Sequence, residues 1–127
     1  MKIGGQINTE QLKVHAALHC NGAVHQNIKT VTSRIYETQP QDYTLLCDTQ
    51  NSPITVVLPP ACNNVGRVIN VKKASSDKYK INSYPVVVKV AEGTIDLSDE
   101  TLIKTNYSSR SVQSDGENWW IISSKGT

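Results

Sequence analysis

From Asp42 to Ile122 the chain is a succession of short runs rich in Val, Ile, Leu, Thr and Tyr, each closed by a turn signal. The runs are Tyr43–Cys47, Ile54–Leu58, Val68–Lys73, Tyr79–Ile81, Val86–Val90, Leu102–Lys104, Ser111–Gln113 and Trp119–Ser123. Between them fall Asn51-Ser52-Pro53, Pro59-Pro60, Ser75-Ser76-Asp77, Glu92-Gly93 and Asp115-Gly116. Such punctuation forces the chain to turn repeatedly, and β-branched runs of this length form strands. No stretch of this region has helical period. The expected fold is all-β, a jelly-roll-like β-sandwich.

Composition supports a β core of modest size. The 127 residues include no Phe, one Met and two Trp, so Val, Ile and Leu must fill the interior. Charged residues make up 19%, below the ~25% usual for soluble domains. The net charge of +2 comes without any basic run longer than Lys72-Lys73, which gives nucleic acid no clustered face to bind. No segment approaches the ~20 apolar residues of a membrane helix, so no membrane insertion is expected. The N-terminus lacks the apolar stretch of a signal peptide, which implies synthesis and retention in the cytoplasm until assembly.

The first forty residues read differently. Leu12, Val14, Ala16, Leu18 and Cys20 alternate with Lys13, His15, Ala17 and His19, which is strand period. A helix capped by Asn8 or Thr9 and ended by Asn21-Gly22 is the alternative, although the same Asn-Gly pair is also a strong hairpin turn. In Ala23 to Glu37 one phase carries Val24, Gln26, Ile28 and Thr30, and the other carries Val31, Ser33 and Ile35. The phase flips near Thr30-Val31, where a bulge or bend would keep apolar groups on one face. Thr38-Gln39-Pro40-Gln41 then breaks the pattern. The expected division is an extended β arm over 1–40 and a sandwich body over 41–127. A long polar strand cannot bury itself, so the arm calls for a partner chain. Leu12, Val14, Ala16, Leu18, Val24 and Ile28 are the candidate assembly surface.

Candidate chemistry is sparse. Cys20, Cys47 and Cys62 are odd in number and lack CxxC spacing, so buried reduced thiols are expected. His15 and His19 share a face on either a helix or a strand, with His25 beyond the Asn-Gly pair, but the further ligands that zinc needs are missing. Asp96, Asp99 and Glu100 could form a carboxylate cluster for glycoside hydrolysis, which needs two acids facing each other across a bond. A solvated loop with a turn starting at Ser98 or Asp99 is the simpler reading. No nucleophile motif or phosphate-cradling loop is present, so no enzyme activity, cofactor or metal is expected. In a strand, Trp119 and Trp120 point to opposite faces, one into the core and the other towards solvent, a ligand or a subunit. Asp115-Gly116 sets their register as a hairpin turn. Leu58-Pro59-Pro60-Ala61 must end its strand abruptly.

Taken in order, the Leu58-Pro59-Pro60-Ala61 corner, the Gly66-Arg67-Val68-Ile69-Asn70-Val71-Lys72-Lys73 strand and the Ser114-Asp115-Gly116-Glu117-Asn118-Trp119 closing segment resemble a module of bacteriophage virion proteins. That module is common at tail-fibre ends and in small capsid or baseplate appendages. The resemblance covers the chain from Asp42 onward. It implies a homotrimeric virion component with a β-sandwich body that binds other virion proteins of the capsid, neck or baseplate. With Met1 only a short arm away, the expectation shifts from a long fibre to a small decoration, head-fibre, neck or baseplate protein. A receptor-binding tip that grips a host glycan or surface protein is the alternative. A cellular carbohydrate-binding sandwich unrelated to phage is a third reading.

Overall fold

A computed structural model describes residues 4–76 and 84–127. Among these residues nine strands fold into two sheets: β1 (Ile28–Val31), β2 (Ile35–Glu37), β3 (Thr44–Cys47), β4 (Ile54–Leu58), β5 (Val68–Lys73), β6 (Val86–Val90), β7 (Glu100–Ile103), β8 (Ser109–Ser114) and β9 (Trp119–Lys125). One sheet has the order β1-β3-β5-β8-β9 and the other β2-β4-β6-β7. The fold is therefore an all-β sandwich, as expected. The strand expected over Tyr79–Ile81 lies outside the described residues, as does Asp77 of the expected turn.

The route of the chain departs from a jelly roll, which weaves antiparallel strands. Here β1 pairs in parallel with β3 and β3 with β5, while β2 pairs in parallel with β4 and β4 with β6. The chain crosses from one sheet to the other after each strand and returns one position further along. Parallel neighbours need a long crossover, commonly a helix, and in this fold each crossover is a strand of the opposite sheet. Only the last part reverses, with β7 antiparallel to β6, β8 to β5 and β9 to β8. The molecule is thus a parallel two-sheet stack closed at one end by antiparallel strands.

Alternation in the sequence fixes the two inner faces. β4 buries Ile54, Val56 and Leu58, and β5 buries Ile69, Val71 and Lys73. Leu45, Val86, Val88, Ile103, Val112 and Trp119 complete a single core between the sheets. Cys47 packs there as a small apolar group, and burial pushes its thiol up to about 12. Cys20 and Cys62 are exposed, against the expectation that all three thiols are buried. Lys73 is the exception among the core side chains. It is buried, Nζ donates to Lys104 O at 2.7 Å, and burial lowers its pKa.

The sandwich begins before residue 41. The run from Ala23 to Glu37 is two strands in two different sheets, β1 and β2, separated by a bend at Ser33-Arg34. The phase flip near Val31 marks the chain leaving one sheet for the other. Thr38-Gln39-Pro40-Gln41 is the loop carrying it back to β3. What lies outside the sheets is residues 4–27, which are exposed throughout and in neither strand nor helix. The strand expected over Leu12–Cys20 is not formed within the chain, because that segment has no neighbouring strand to complete its backbone hydrogen bonds.

Candidate functional site

The corner and the closing hairpin, which lie far apart in sequence, meet in space. Two prolines end β4 and deliver the chain into a short 3₁₀ turn at Ala61–Asn63. Trp119 is fully buried, and its indole N–H donates to Pro59 O at 3.0 Å. Ser114 Oγ donates to Ala61 O at 2.8 Å and accepts from Gly116 N at 3.0 Å, and Gly66 N donates to Ser114 O at 2.8 Å. The corner is thereby latched to the β8–β9 hairpin.

Asp115 organises the hairpin. Its Oδ1 accepts from Glu117 N and Asn118 N, both at 2.8 Å, while Gly116 takes a φ of +99°. Its Oδ2 accepts from the indole N–H of Trp120 at 2.8 Å. The backbone donors, Asn118 first, together with Trp120, hold the Asp115 carboxyl below its usual value. Trp120 is 36% exposed on the face opposite Trp119, so one indole is core and the other is presented outward at a fixed angle. Asn118 Oδ1 accepts from Thr94 N at 3.0 Å and Thr94 Oγ1 at 2.9 Å, which ties the hairpin to the loop after β6. Gly93 in that loop has a φ of +108°, and a Cβ there would meet Glu117 O at 2.9 Å.

The Asp96 region is a tight turn. Asp96 and Leu97 take φ values of 50° and 63°, making the tight turn between Ile95 and Ser98. The turn therefore centres before Ser98, not at Ser98 or Asp99. Asp96 Oδ1 accepts from Ile121 N at 2.8 Å, and Glu100 faces Lys89 at 3.7 Å. Asp96 and Glu100 serve separate local contacts, while Asp99 and Glu100 line one open concavity with Lys89, Val90, Gly93 and Ser98.

A polar knot, absent from the sequence reading, joins the first pair of strands to the rest. Asp42 is buried, and its Oδ2 accepts from Tyr36 Oη at 2.6 Å and Gln39 N at 2.7 Å. Arg67 donates to Asn64 Oδ1 at 3.0 Å and to the carbonyls of Gln39 and Asp42 at 2.7 and 2.9 Å. Burial, the hydrogen bond to Asp42 and its negative charge push the Tyr36 phenol up to about 12. The signal was Arg67 itself, a long cation in the Gly-Arg-Val-Ile run with no acid near it in sequence.

The candidate assembly residues Leu12, Val14, Leu18, Val24 and Ile28 are 61, 47, 73, 64 and 62% exposed, and Ala16 is exposed too. None of them touches the core. His15, His19 and His25 lie along the same exposed stretch. Among the described residues no group of three His, Cys, Asp or Glu side chains could hold a metal. A concavity of about 410 Å³ beside β2 and β4 is lined by Arg34, Ile35, Asn51, Pro53, Thr55 and Tyr84. No helix among the described residues is long and apolar enough to cross a membrane. No family model matches this chain, and no curated protein matches it.

Proposed function

We propose that this protein is a structural component of a bacteriophage virion, a small homotrimeric appendage that binds other virion proteins of the capsid, neck or baseplate. The observation that carries this reading is the exposed apolar alternation of Leu12, Val14, Ala16 and Leu18 ahead of a sandwich whose own core is complete without it. An exposed apolar row of that kind marks an interaction surface, and closed homo-oligomers are the commonest way to cover one. Further support comes from the segments that carry the phage-module resemblance. Corner and hairpin form one latch through Trp119, Pro59, Ser114 and Ala61, so the segments that carry the resemblance act together as a single structural element. The test is the solution mass of the full chain by light scattering coupled to size exclusion. Three chains that survive dilution are expected, and a monomer at every concentration overturns the reading.

A second reading rests on Trp120. Its outward indole is oriented by Asp115, and a fixed exposed aromatic is suited to stacking on a sugar ring. On this reading the protein is a receptor-binding tip for a host glycan. A glycan array probed with the full chain decides it, since a protein that only decorates the particle gives no signal.

A further inference from the structure

The parallel stack has β1 and β2 as its outermost strands, each with one side facing no other strand among the described residues. In β2, Arg34 O and Thr38 N bond to β4 at 2.8 and 3.0 Å, so Ile35 and Glu37 turn their main-chain groups outward. Those outward carbonyls are capped, Ile35 O by Ser33 Oγ at 3.1 Å and Glu37 O by Gln39 Nε2 at 3.0 Å. In β1, Asn27 O and Val31 O accept from Thr44 N and Asp48 N of the β3 side at 3.0 and 2.9 Å. Ile28 and Thr30 therefore aim N–H and C=O away from the sheet, and no group among the described residues caps them. One edge is protected and the other is left open, which is a template for strand addition.

The same chain carries an unused strand. Leu12–Cys20 has strand alternation, forms no strand and is longer than β1, which has four residues. Its direct route onto its own β1 would be a two-residue hairpin at Asn21-Gly22. Both hairpin turn types, I′ and II′, need a positive φ at the first central residue. Asn21 does not have one, since the non-glycine residues with positive φ among the described residues are Asp96, Leu97 and Tyr107. The own-chain hairpin is not made, so the segment is free to reach another molecule.

We propose that the Leu12–Cys20 segment of one copy adds as an extra strand to the open β1 edge of a second copy. This rests on the assembly reading above and names its contact: Ile28 and Thr30 of the acceptor pair with the donor backbone. The added strand also places an apolar row beside the exposed Ile28.

The test is residue-resolved amide exchange on the full chain, run at a concentration where light scattering gives an oligomer. The amides of Ile28 and Thr30 are expected to exchange about tenfold or more slowly than in the full-length V14P variant. That variant lacks one donor N–H and is expected to be monomeric, with Trp119 still buried by its fluorescence. Fast exchange of both amides within a stable oligomer overturns strand addition and leaves the assembly reading standing. Protection that persists in a diluted monomer assigns the edge to the chain's own segment and overturns the exchange. An oligomer that V14P leaves intact and protected also overturns it. A monomer at every concentration removes both readings together.

Discussion

Leu12–Cys20 and Ile54–Leu58 carry the same alternation and meet opposite fates. In Ile54–Leu58 every second side chain is buried, because β2 and β6 complete its ladder and the other sheet covers its inner face. In Leu12–Cys20 every residue is exposed. A period of two thus measures competence to be a strand, while the neighbours decide whether the strand exists. The sandwich supplies its own neighbours; the extension must find them elsewhere. Variants in the body should therefore change stability, and variants in the extension should change association.

The largest effect is expected at Trp119. Trp119→Ala empties the end of the core and removes the bond to Pro59 O, so the latch and the packing fail together. A loss of about 3–5 kcal/mol is expected in urea titration, enough to leave such a domain largely unfolded. A loss under about 1 kcal/mol would mean that the hairpin is dispensable to the body.

Tyr36→Phe comes next and probes how the first strand pair is tied on. The buried Asp42 loses one of its two donors on Oδ2, and its Oδ1 has no partner among the described residues. The expected cost is about 1.5–3 kcal/mol, as for hydrogen bonds to charged groups. The pH dependence has a defined sign. The folded phenol titrates near 12 against an ordinary 10.0, so the unfolded chain loses its proton first. Wild-type stability from this group is full below 10 and is lost as pH rises towards 12. Tyr36→Phe should abolish that alkaline loss, measured by thermal melts across the range.

These sites show what could be read in the chain and what could not. The bounds of Ile54–Leu58, Val68–Lys73 and Val86–Val90 were readable because turn residues flank alternating β-branched runs. The division of Trp119 and Trp120 between core and surface follows from neighbouring residues pointing to opposite faces of a strand. Parallel pairing was not readable, since a strand buried on one face alternates in the same way whichever direction its neighbour runs. Pro40 was a true break, but it separates strands of two sheets and does not mark the edge of the body. The Asp42–Tyr36–Arg67 knot draws on three separate segments, and spacing along the chain says nothing about that. Lys73 was within reach: it shares the phase of Ile69 and Val71, so alternation alone puts it inside.

Lys73→Met should alter the body only slightly. A flexible apolar chain of similar length replaces an ammonium held by one carbonyl at 2.7 Å, so stability at neutral pH should hold or rise by about 1 kcal/mol. Burial lowers the folded pKa below the ordinary 10.5, so below that value the unfolded chain holds more protons and wild-type stability from this group rises with pH. The gain from the variant should accordingly shrink as pH approaches 10.5, read from parallel denaturant titrations.

Leu18→Asp should have the smallest effect on stability and a decisive one on association. Leu18 is 73% exposed and lies outside the core, so the urea midpoint should move by less than about 0.5 kcal/mol equivalent. In an assembly that covers this row, the same change buries a carboxylate without a partner, a cost no small interface absorbs. The variant should therefore be a folded monomer by light scattering, with Trp119 fluorescence unchanged. If it stayed oligomeric, the Leu12–Leu18 row would not be the contact. The covering surface would then be sought on the sandwich itself, where Ile35, Leu102 and Trp120 lie exposed on the outer faces of the sheets.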